Sequence, residues 1–457
     1  MSRRLVDTAA GGRWCRRVAT VARPITTKVT LTTEREPMLS GRGSGILCVV
    51  MTLDEARAVL AARSTALEPV VVSLGESLGC RIADPPHPDV DLPPGHVSAM
   101  DGYAARHVDV ASGDVLPVAF EVQAGTLPRL LPERHAARIF TGAVLPDGAD
   151  TVVPQEQATV VSDGAVRLKP LASGSHVRRR GEIFCAGTPL ARVGDLVTPQ
   201  LVALLAAAGA DRVSVIPRPR VSVVVTGGEV VPVSEVPGPG QIRNSNGPML
   251  DALVRTAGLR PPSMRSARDT TDDLRAALSN AVVDADLVLT SGGVSVGDYD
   301  LVPEVARSLG GEVLLHRVSV KPGKPVLAVL FDGCWMLGLP GNPVSVLMGW
   351  RMFGWPLAAT LGGDLSAFDE QPLLAAGEEP VSNRGDRVEL RPAILSGWHG
   401  DLVVRVVPWR GSHDLVAAAA ANALARLEVG GSYEAGDTVP CYPLSHALAR
   451  QPKTSYI

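Results

Sequence analysis

Residues 218 to about 363 most constrain the fold, because β-favouring runs alternate there with helical runs. "RVSVVVTGG" predicts a strand, "NGPMLDALVRTAG" a helix, "TTDDLRAALSNAVVDA" a second helix capped by Thr271, and "DLVLTSGG" the next strand. Such alternation is typical of a parallel sheet with crossover helices. Ligands of these sheets bind beyond the carboxyl ends of the strands, where "VTGGE" and "TSGGVSVGDYD" lie.

The segments on either side have a different rhythm. From about residue 79 to 217, short β-like runs between Asp-Gly and similar turns predict antiparallel β structure. A helix follows at "TPQLVALLAAAGA", with Thr198 as N-cap and Pro199 at its first position. From about residue 364 onwards β alternation returns, so we expect a small β domain at the end of the chain.

A chain of 457 residues is too long for one ordinary core, and its length predicts about three domains. The predicted fold class is multidomain α/β plus β. The predicted division is 1–50, a disordered extension; 51–90 with 181–217, an elongated N-terminal domain; 91–180, an inserted β-rich domain; 218–363, the α/β domain; and 364–446, a C-terminal β domain.

The first 50 residues are unlike the remainder of the sequence. They carry nine basic residues against three acidic ones, glycine-rich patches and no useful periodicity, which predicts disorder. Arginines interrupt the stretch behind "SRR", so an export signal is not expected. Met51 opens a predicted helix with Thr52 as N-cap, and we expect the folded protein to start there, whether residues 1–50 are an extension or precede the true start codon.

Composition excludes several classes of function. With 46% hydrophobic residues, 20% charged residues and a formal net charge of −3, the sequence is typical of a soluble globular protein and not of a nucleic-acid binder. It has no apolar run near the roughly 18 residues of a membrane helix. Six scattered cysteines without a CxxC spacing favour a reducing, cytoplasmic compartment, and any metal is expected on oxygen ligands.

The run "DLVLTSGGVSVGDYD" predicts a buried strand that ends in exposed backbone N–H groups. Ser291 and Ser295 add hydroxyls, so the loop could cradle a phosphate. Asp298 and Asp300 would repel that phosphate unless a metal ion lay between them. Taken alone, the run is also typical of a plain tight connection.

Two further motifs favour anion binding. In "VKPGKP", Lys321 and Lys324 flank a Pro-Gly turn, and a lysine about 4 Å from a phosphate gains roughly 4 kcal/mol at an effective dielectric of 20. In "GLPGNPVSV", Asn342 is a good N-cap and Pro343 suits the first helical position, so free N–H groups would face a ligand. The alternatives are a solvated turn and a bare helix cap.

The fourth motif, "SAMDGYA", places Asp101 beside Gly102, which by itself is typical of a turn. Together the motifs are similar in order and wording to the molybdopterin molybdenumtransferases, the MoeA-type family related to the gephyrin E domain. The resemblance spans residues 51 to 443. Its motifs are "SAMDGYA", "IFTGAVLPDGADTVVPQE", "VRRRGE", "VTGGE", "SGGVSVGDYD", "VKPGKP", "GLPGNPVS" and "RGSH".

This resemblance implies a late step of molybdenum cofactor synthesis, in which adenylylated molybdopterin and molybdate enter, the dithiolene takes up molybdenum and AMP leaves. It implies an adenylyltransferase-like α/β domain, a small C-terminal β-barrel and Mg²⁺ as cofactor. It also implies a homodimer whose site lies between the α/β domain of one chain and the Asp101-bearing domain of the other. A molybdopterin adenylyltransferase and molybdoenzyme apoproteins are the further partners it suggests.

Residue roles follow from the same resemblance. Catalytic roles are implied for Asp101, Thr141, Glu182, Glu229, Asp269 and Asp300. Substrate binding is implied for Ser291, Gly292, Gly293, Ser295, Lys321, Lys324, Pro340, Asn342, Pro343, Arg391 and Ser412. Metal ligation is implied for Asp298, Asp300 and Glu229.

The sequence departs from the family pattern at a few positions. Gly228, Ile183 and Asn244 stand where the family favours an acid, and Arg317 stands where it favours a lysine. Two alternatives stay open, of which the departures motivate the second. One is molybdopterin adenylylation, whose enzymes share the α/β domain and the "SGG" strand end, and the other is a binding or scaffolding paralogue without catalysis.

Overall fold

The structure is a computed structural model that describes residues 50–162, 164–294, 301–397 and 400–445. These residues belong to one compact unit, Cys48–Ile457. The prediction of a disordered extension at residues 1–50 falls outside the described residues, except for Val50.

The first described stretch combines a helix with short strands. Thr52 caps the helix as predicted, because its hydroxyl accepts from the Glu55 N–H at 3.2 Å while the Glu55 carboxylate accepts from the Thr52 N–H at 2.8 Å. The helix begins at Leu53 and not at Met51, because Met51 belongs to a short strand. The elements are β1 (Met51–Thr52), α1 (Leu53–Arg63), β2 (Val70–Ser73) and β3 (Arg81–Asp84).

The next stretch of the chain forms a six-stranded sheet with the strand order β8-β5-β7-β6-β10-β9. Its neighbouring strands are antiparallel as predicted, except that β6 and β7 are parallel. Residues 123–135 between these two strands are long enough for the crossover that parallel pairing needs. The elements are β4 (Val97–Ser98), β5 (Gly102–Ala105), α2 (His107–Ala111), β6 (Val115–Val122), β7 (Ala136–Ile139), β8 (Thr151–Pro154), a 3₁₀ turn (Gln155–Gln157), β9 (Ala158–Ser162), β10 (Ala165–Leu168) and β11 (Val177–Arg178).

The chain then returns to the first stretch. Helix α3 (Pro199–Ala207) begins at Pro199, and the Thr198 hydroxyl accepts from Leu201 N–H at 3.2 Å, as predicted. Strand β12 (Arg212–Ile216) lies between β2 and β3 in a three-stranded sheet. Residues on both sides of the inserted sheet therefore pair with each other, although the exact domain boundaries stay predictions.

The predicted strand–helix alternation is confirmed between residues 218 and 363. The cap of α5 was assigned wrongly, because Thr270 and not Thr271 accepts from the Asp273 N–H. The elements are β13 (Val221–Thr226), β14 (Val230–Val231), β15 (Ile242–Arg243), α4 (Asn246–Thr256), β16 (Ser263–Ala267), α5 (Thr271–Asp284), β17 (Leu287–Ser291), α6 (Val302–Ser308), β18 (Glu312–His316), β19 (Val318–Lys321), β20 (Leu327–Leu330), β21 (Trp335–Leu339), α7 (Pro343–Gly349), a π-helical turn (Trp350–Gly354) and α8 (Trp355–Leu361).

The α/β sheet has the strand order β16-β13-β17-β21-β20-β18. The first four strands are parallel, as predicted, whereas β20 and β18 are antiparallel additions at one edge. Both faces of β13 are buried: Val223 packs with α4 on one side, and Val224 packs with α5 on the other. The sheet is therefore covered on both faces, and its carboxyl ends open towards the start of α4 and α7.

The C-terminal strands close into a barrel-like sheet. Strands β24, β25, β22, β28 and β26 follow one another, and β26 pairs back to β24. Strand β19 joins this sheet through a parallel pairing with β24. The elements are a 3₁₀ turn (Ala367–Asp369), β22 (Leu373–Gly377), β23 (Val381–Ser382), β24 (Val388–Ser396), β25 (Val403–Val406), α9 (Leu415–Ala420), β26 (Ala423–Leu427), β27 (Ser432–Tyr433) and β28 (Thr438–Pro443).

The described part of the chain contains no helix with the length and apolar character that crossing a bilayer requires.

Candidate active site

The start of helix α7 lies where loops from distant parts of the chain meet. Asn342 is the N-cap and Pro343 the first helical residue, as predicted, although the Asn342 side chain makes no capping hydrogen bond. Instead, the Val344 N–H donates to the Ser412 carbonyl at 3.0 Å. The "RGSH" loop before α9 is thereby held against the start of α7. The predicted site residue Pro340 lies in the loop between β21 and α7.

The lysine turn packs directly on the same helix. Gly323 has a φ of +98°, which side chains rarely adopt, and a Cβ atom there would lie 2.1 Å from Met348 Cε of α7, so a larger residue would strain the turn and displace the methionine. Lys321 and Lys324, both exposed, flank this glycine. The Lys324 carbonyl accepts from the Val318 N–H at 2.8 Å, which fixes the turn and leaves the ammonium group facing outward.

Lys321 shares a buried carboxylate with Arg391. Its Nζ lies 3.0 Å from Glu389 Oε1, and Arg391 Nη2 donates to Glu389 Oε2 at 2.5 Å. Burial by itself would raise the pKa of Glu389, but hydrogen bonds from Arg391 and Lys321 outweigh it and lower that pKa below its ordinary value. The carboxylate is therefore ionised at neutral pH, and the predicted residues Lys321 and Arg391 lie side by side.

The end of β17 is tied to the α7 loop through Asn246. Its Nδ2 donates to Ser291 Oγ at 2.8 Å and to the Gly341 carbonyl at 2.7 Å. Because a carbonyl can only accept, this contact fixes the orientation of the amide. Among the residues that the structure describes, the buried Asn246 Oδ1 atom has no hydrogen-bond partner. Ser291 is buried, and its hydroxyl oxygen, which accepts from Asn246, links β17 to this residue.

The paired glycine after Ser291 is required by close packing. Gly292 has a φ of +98°, and a Cβ atom there would lie 2.6 Å from the Thr226 carbonyl oxygen. Gly293 also has a positive φ, of +64°. The "SGG" strand end thus approaches the end of β13, which carries the next candidate residues.

The "TGGE" strand end is held by Asp269. The Thr226 hydroxyl donates to Asp269 Oδ1 at 2.5 Å, and the Gly228 N–H donates to Asp269 Oδ2 at 2.8 Å. Glu229 is exposed beside this pair. Asp269 therefore orients the loop that carries Glu229, in addition to any contact with a ligand.

Asp101 and Thr141 form a second, separate group. The Thr141 N–H and hydroxyl donate to Asp101 Oδ1 at 2.7 Å and 2.8 Å, which lowers the pKa of Asp101. Both residues are exposed. Glu182 accepts from the Arg179 N–H at 2.7 Å and stabilises the "RRRGE" turn. In the part of the chain that the structure describes, the hydrogen bonds of Asp101, Thr141 and Glu182 stay within residues 91–184.

The predicted metal ligands are only partly described. Ser295, Asp298 and Asp300 lie outside the described residues. Within the described ranges, no group of three His, Cys, Asp or Glu residues is arranged to hold a metal ion. The predictions for these residues stay predictions.

The departures from the family pattern have distinct local consequences. Asn244 Oδ1 accepts from the Gly247 N–H at 2.8 Å, so the amide satisfies a donor in the first turn of α4 from the residue before the N-cap, Ser245. A Cβ atom on Gly228 would lie 3.9 Å from Asp269 Oδ2, which leaves room for a side chain. Ile183 is exposed, and Arg317 adopts a φ of +94° that side chains rarely take.

Sequence reasoning missed Asn246 and Glu389. Asn246 is the last residue of "NSN" and the first of the predicted helix "NGPMLDALVRTAG", so the pattern indicated only a helix start. Glu389 lies two residues before Arg391 in an alternating strand, so both side chains share one face. That spacing could have predicted the pair, but not the contact with Lys321.

Three family models match the chain. They are the MoeA N-terminal region (domain I and II) at residues 51–209, a probable molybdopterin binding domain at residues 222–360, and the MoeA C-terminal region (domain IV) at residues 376–444.

Named relatives agree with the family models. A molybdopterin molybdenumtransferase from Nostoc sp. is 38% identical over 320 residues, which cover 68% of this chain and 71% of that protein. Molybdopterin molybdenumtransferase 2 from Mycobacterium tuberculosis is 35% identical over 384 residues, covering 82% and 94%. A crystal structure of a molybdopterin biosynthesis MoeA protein from Pyrococcus horikosii superposes with a TM-score of 0.73 at 29% identity, covering 87% and 99%. The resemblance inferred from the motifs is confirmed, and the chain belongs to the MoeA family of molybdopterin molybdenumtransferases.

Proposed function

We propose that this protein inserts molybdenum into adenylylated molybdopterin and releases AMP. In this reaction the dithiolene sulfurs bind molybdenum in place of molybdate oxygen, which leaves with the two thiol protons as water. A water molecule cleaves the phosphoanhydride bond, which gives AMP and the pterin phosphate. The observation that carries the proposal is the convergence of the "SGG" strand end, the lysine turn, the "PGNP" loop and the "RGSH" loop around helix α7. Family membership supports the same reaction.

The cationic groups beside α7 bind the anionic parts of the substrates. Lys324 is exposed and forms no ion pair within the described ranges, so its ammonium group is available to a phosphate. At about 4 Å such a contact contributes roughly 4 kcal/mol at an effective dielectric of 20. Lys321 and Arg391 present two further cations to an oxyanion. The predicted contacts of Ser291, Gly292, Gly293, Pro340, Asn342, Pro343 and Ser412 complete the binding surface.

Magnesium belongs to this proposal. Mg²⁺ is usually bound by one or two carboxylates together with substrate phosphates and water, and the exposed carboxylate of Glu229 beside Asp269 fits such a donor set. Asp298 and Asp300 are the proposed additional ligands. Bound there, the ion would neutralise phosphate charge. Asp269 keeps the Glu229 loop in place through its bonds to Thr226 and Gly228.

Asp101, Thr141 and Glu182 take part through a homodimer in this proposal. Asp101 and Thr141 are exposed and bonded to each other, with no contact in the described residues to the loops at α7. A second copy of the chain would bring them to the site of its neighbour. We place the reaction in the cytoplasm, with a molybdopterin adenylyltransferase as the supplier of substrate and molybdoenzyme apoproteins as acceptors of product.

The test combines two assays on the full-length protein. Purified protein, adenylylated molybdopterin, molybdate and Mg²⁺ should release AMP and form a cofactor that activates a molybdoenzyme apoprotein. Incubation with molybdopterin and MgATP should not form adenylylated pterin, which would instead indicate the adenylyltransferase reaction.

A complementation assay separates catalysis from scaffolding. The gene should restore molybdoenzyme activity to a strain that lacks its own transferase. Failure to do so with a folded, dimeric protein would contradict the proposed function and favour a scaffolding paralogue.

A further inference from the structure

A buried carboxylate lies under the cationic end of the site and has no role in the proposed reaction. The Glu389 side chain is 3% exposed, whereas its partners Lys321 and Arg391 are 52% and 21% exposed. Its two oxygens are divided between them, with Oε1 at 3.0 Å from Lys321 Nζ and Oε2 at 2.5 Å from Arg391 Nη2. The acid therefore contacts both cations from their buried side.

The backbone sets this arrangement. Lys321 at the end of β19 is the direct cross-strand partner of Glu389 on β24, and Arg391 lies two residues further on the same face of β24. Arg391 is also held by the Ser382 carbonyl, which accepts from Nη2 at 2.9 Å. Lys321 has no second ion pair among the described residues, so Glu389 is its tether to the barrel.

A tether matters for this lysine because its side chain is long and flexible. A free lysine side chain has high rotamer entropy, part of which is lost when a substrate orders it on binding. Two neighbouring cations also repel each other unless an anion lies between them. Burying a carboxylate is costly. Here the buried Glu389 fixes the positions of the Lys321 and Arg391 side chains, which accounts for its presence.

We propose that Glu389 is a positioning residue that holds Lys321 beside Arg391, so that the two side chains form a preorganised binding site for a tetrahedral oxyanion. This inference rests on the proposed function, since the oxyanion is either a substrate phosphate or molybdate. Preorganisation of the two cations lowers the ordering cost of binding and places both N–H donor groups in one geometry. Glu389 itself lies beneath the cations and does not touch the substrate.

The test uses Glu389→Gln in the full-length protein, because glutamine keeps the size of the side chain and removes its charge. We expect the KM for adenylylated molybdopterin or molybdate to rise on the order of 10- to 100-fold, with a much smaller change in kcat. Direct titration with AMP and with inorganic molybdate identifies the source of the oxyanion, by which of the two binds more weakly to the variant. Unchanged or tighter binding of both probes would overturn the proposal.

Two comparisons separate positioning from general damage. Glu370→Gln removes a similar carboxylate, which pairs with buried Arg351 at 2.6 Å, and should leave the KM and probe affinities unchanged. In a Lys321→Ala background, Glu389→Gln should add less than about 3-fold to the loss, because both changes remove the same interaction. Fully additive losses would contradict action through Lys321.

Failure of the Glu389 proposal can be distinguished from failure of the proposed function. If the wild-type protein binds AMP or molybdate but inserts no molybdenum, the proposed function fails while the titrations still decide the role of Glu389. If Glu389→Gln does not fold, Glu389→Asp keeps the charge on a shorter side chain. It should then bind the same probe more weakly than wild type, and equal affinity would overturn the proposal.

Discussion

The two groups of predicted site residues are built in opposite ways. Around α7, contacts join parts of the chain that are far apart in sequence: Val344 with Ser412, Gly341 with Asn246, and Lys321 with Glu389. The Asp101 group is exposed, and its side-chain contacts stay within its own region of the chain. One group is thus assembled by tertiary packing, whereas the other is a local surface feature.

This difference bears directly on the proposed shared site. A binding surface assembled by many long-range contacts needs no further chain to hold its shape. The Asp101 carboxylate, by contrast, accepts hydrogen bonds only from Thr141 among the described residues, and that contact alone provides no binding surface for a substrate. Asp101 would therefore act only beside a second binding surface. In our proposal, the α7 site of the other chain in a homodimer provides that surface.

The largest expected effect is the loss of an exposed lysine at α7. Lys324→Ala should lower kcat/KM for molybdenum insertion on the order of 100- to 1000-fold, because a contact of about 4 kcal/mol with the substrate is removed. Its free energy of unfolding should change by less than about 0.5 kcal/mol, since the side chain is exposed. Kinetics with adenylylated molybdopterin and urea unfolding of the same preparation check both statements.

Asn246→Ala should separate the two groups by stability. The substitution removes two hydrogen bonds and leaves buried Ser291 Oγ and the Gly341 carbonyl without this donor, so the free energy of unfolding should fall by about 2 to 4 kcal/mol. Thr141→Val, which breaks the exposed bond to Asp101, should cost less than about 0.5 kcal/mol. Equal losses of unfolding free energy in urea titrations would contradict the difference between a site assembled by tertiary packing and a local surface group.

The pH dependence of stability should distinguish Glu389 from its glutamine variant. The pKa of Glu389 is lower in the folded chain than its ordinary value of 4.5, so its ionised form stabilises the fold. This contribution is complete above pH 4.5 and is lost as the pH falls through the lower folded value. The difference between wild type and Glu389→Gln, about 1 to 3 kcal/mol at pH 7, should therefore shrink below pH 4.5. A difference that stays constant down to acid unfolding would contradict this.

The smallest expected effect concerns a departure from the family pattern. Gly228→Asp should be tolerated within about 1 kcal/mol, because its Cβ atom would make only an ordinary contact, 3.9 Å from Asp269 Oδ2. The added carboxylate should lower the Mg²⁺ concentration needed for half-maximal activity by a few-fold. An unchanged Mg²⁺ requirement would show that position 228 lies away from the ion.

Sequence alone predicted most elements of the fold, because their signals are local. The caps at Thr52 and Thr198 and the strands before "TGGE" and "SGG" were predicted correctly. The choice between Thr270 and Thr271 was wrong, since two adjacent threonines give the same local signal and the backbone decides between them. The antiparallel strands β20 and β18 depend on long-range pairing that no local pattern encodes.

The site was predicted by motif and not by contact. The motifs marked Lys321, Asn342 and Ser412 as candidate binding residues without placing them relative to one another. Asn246 and Glu389 contact partners 45 and 68 residues away and were missed. Such pairs become visible only when the strand ends and the barrel are placed together. The roles of the individual site residues therefore stay predictions.

The most direct test of the shared site is to mix two inactive proteins. Asp101→Ala and Lys324→Ala each damage a different group, so in a mixed dimer one of the two sites would combine an intact Asp101 with an intact Lys324. After subunit exchange in equal amounts, half of the dimers are mixed, and activity should recover to about one quarter of the wild-type value. A mixture that stays as inactive as either variant alone would contradict a site built from two chains.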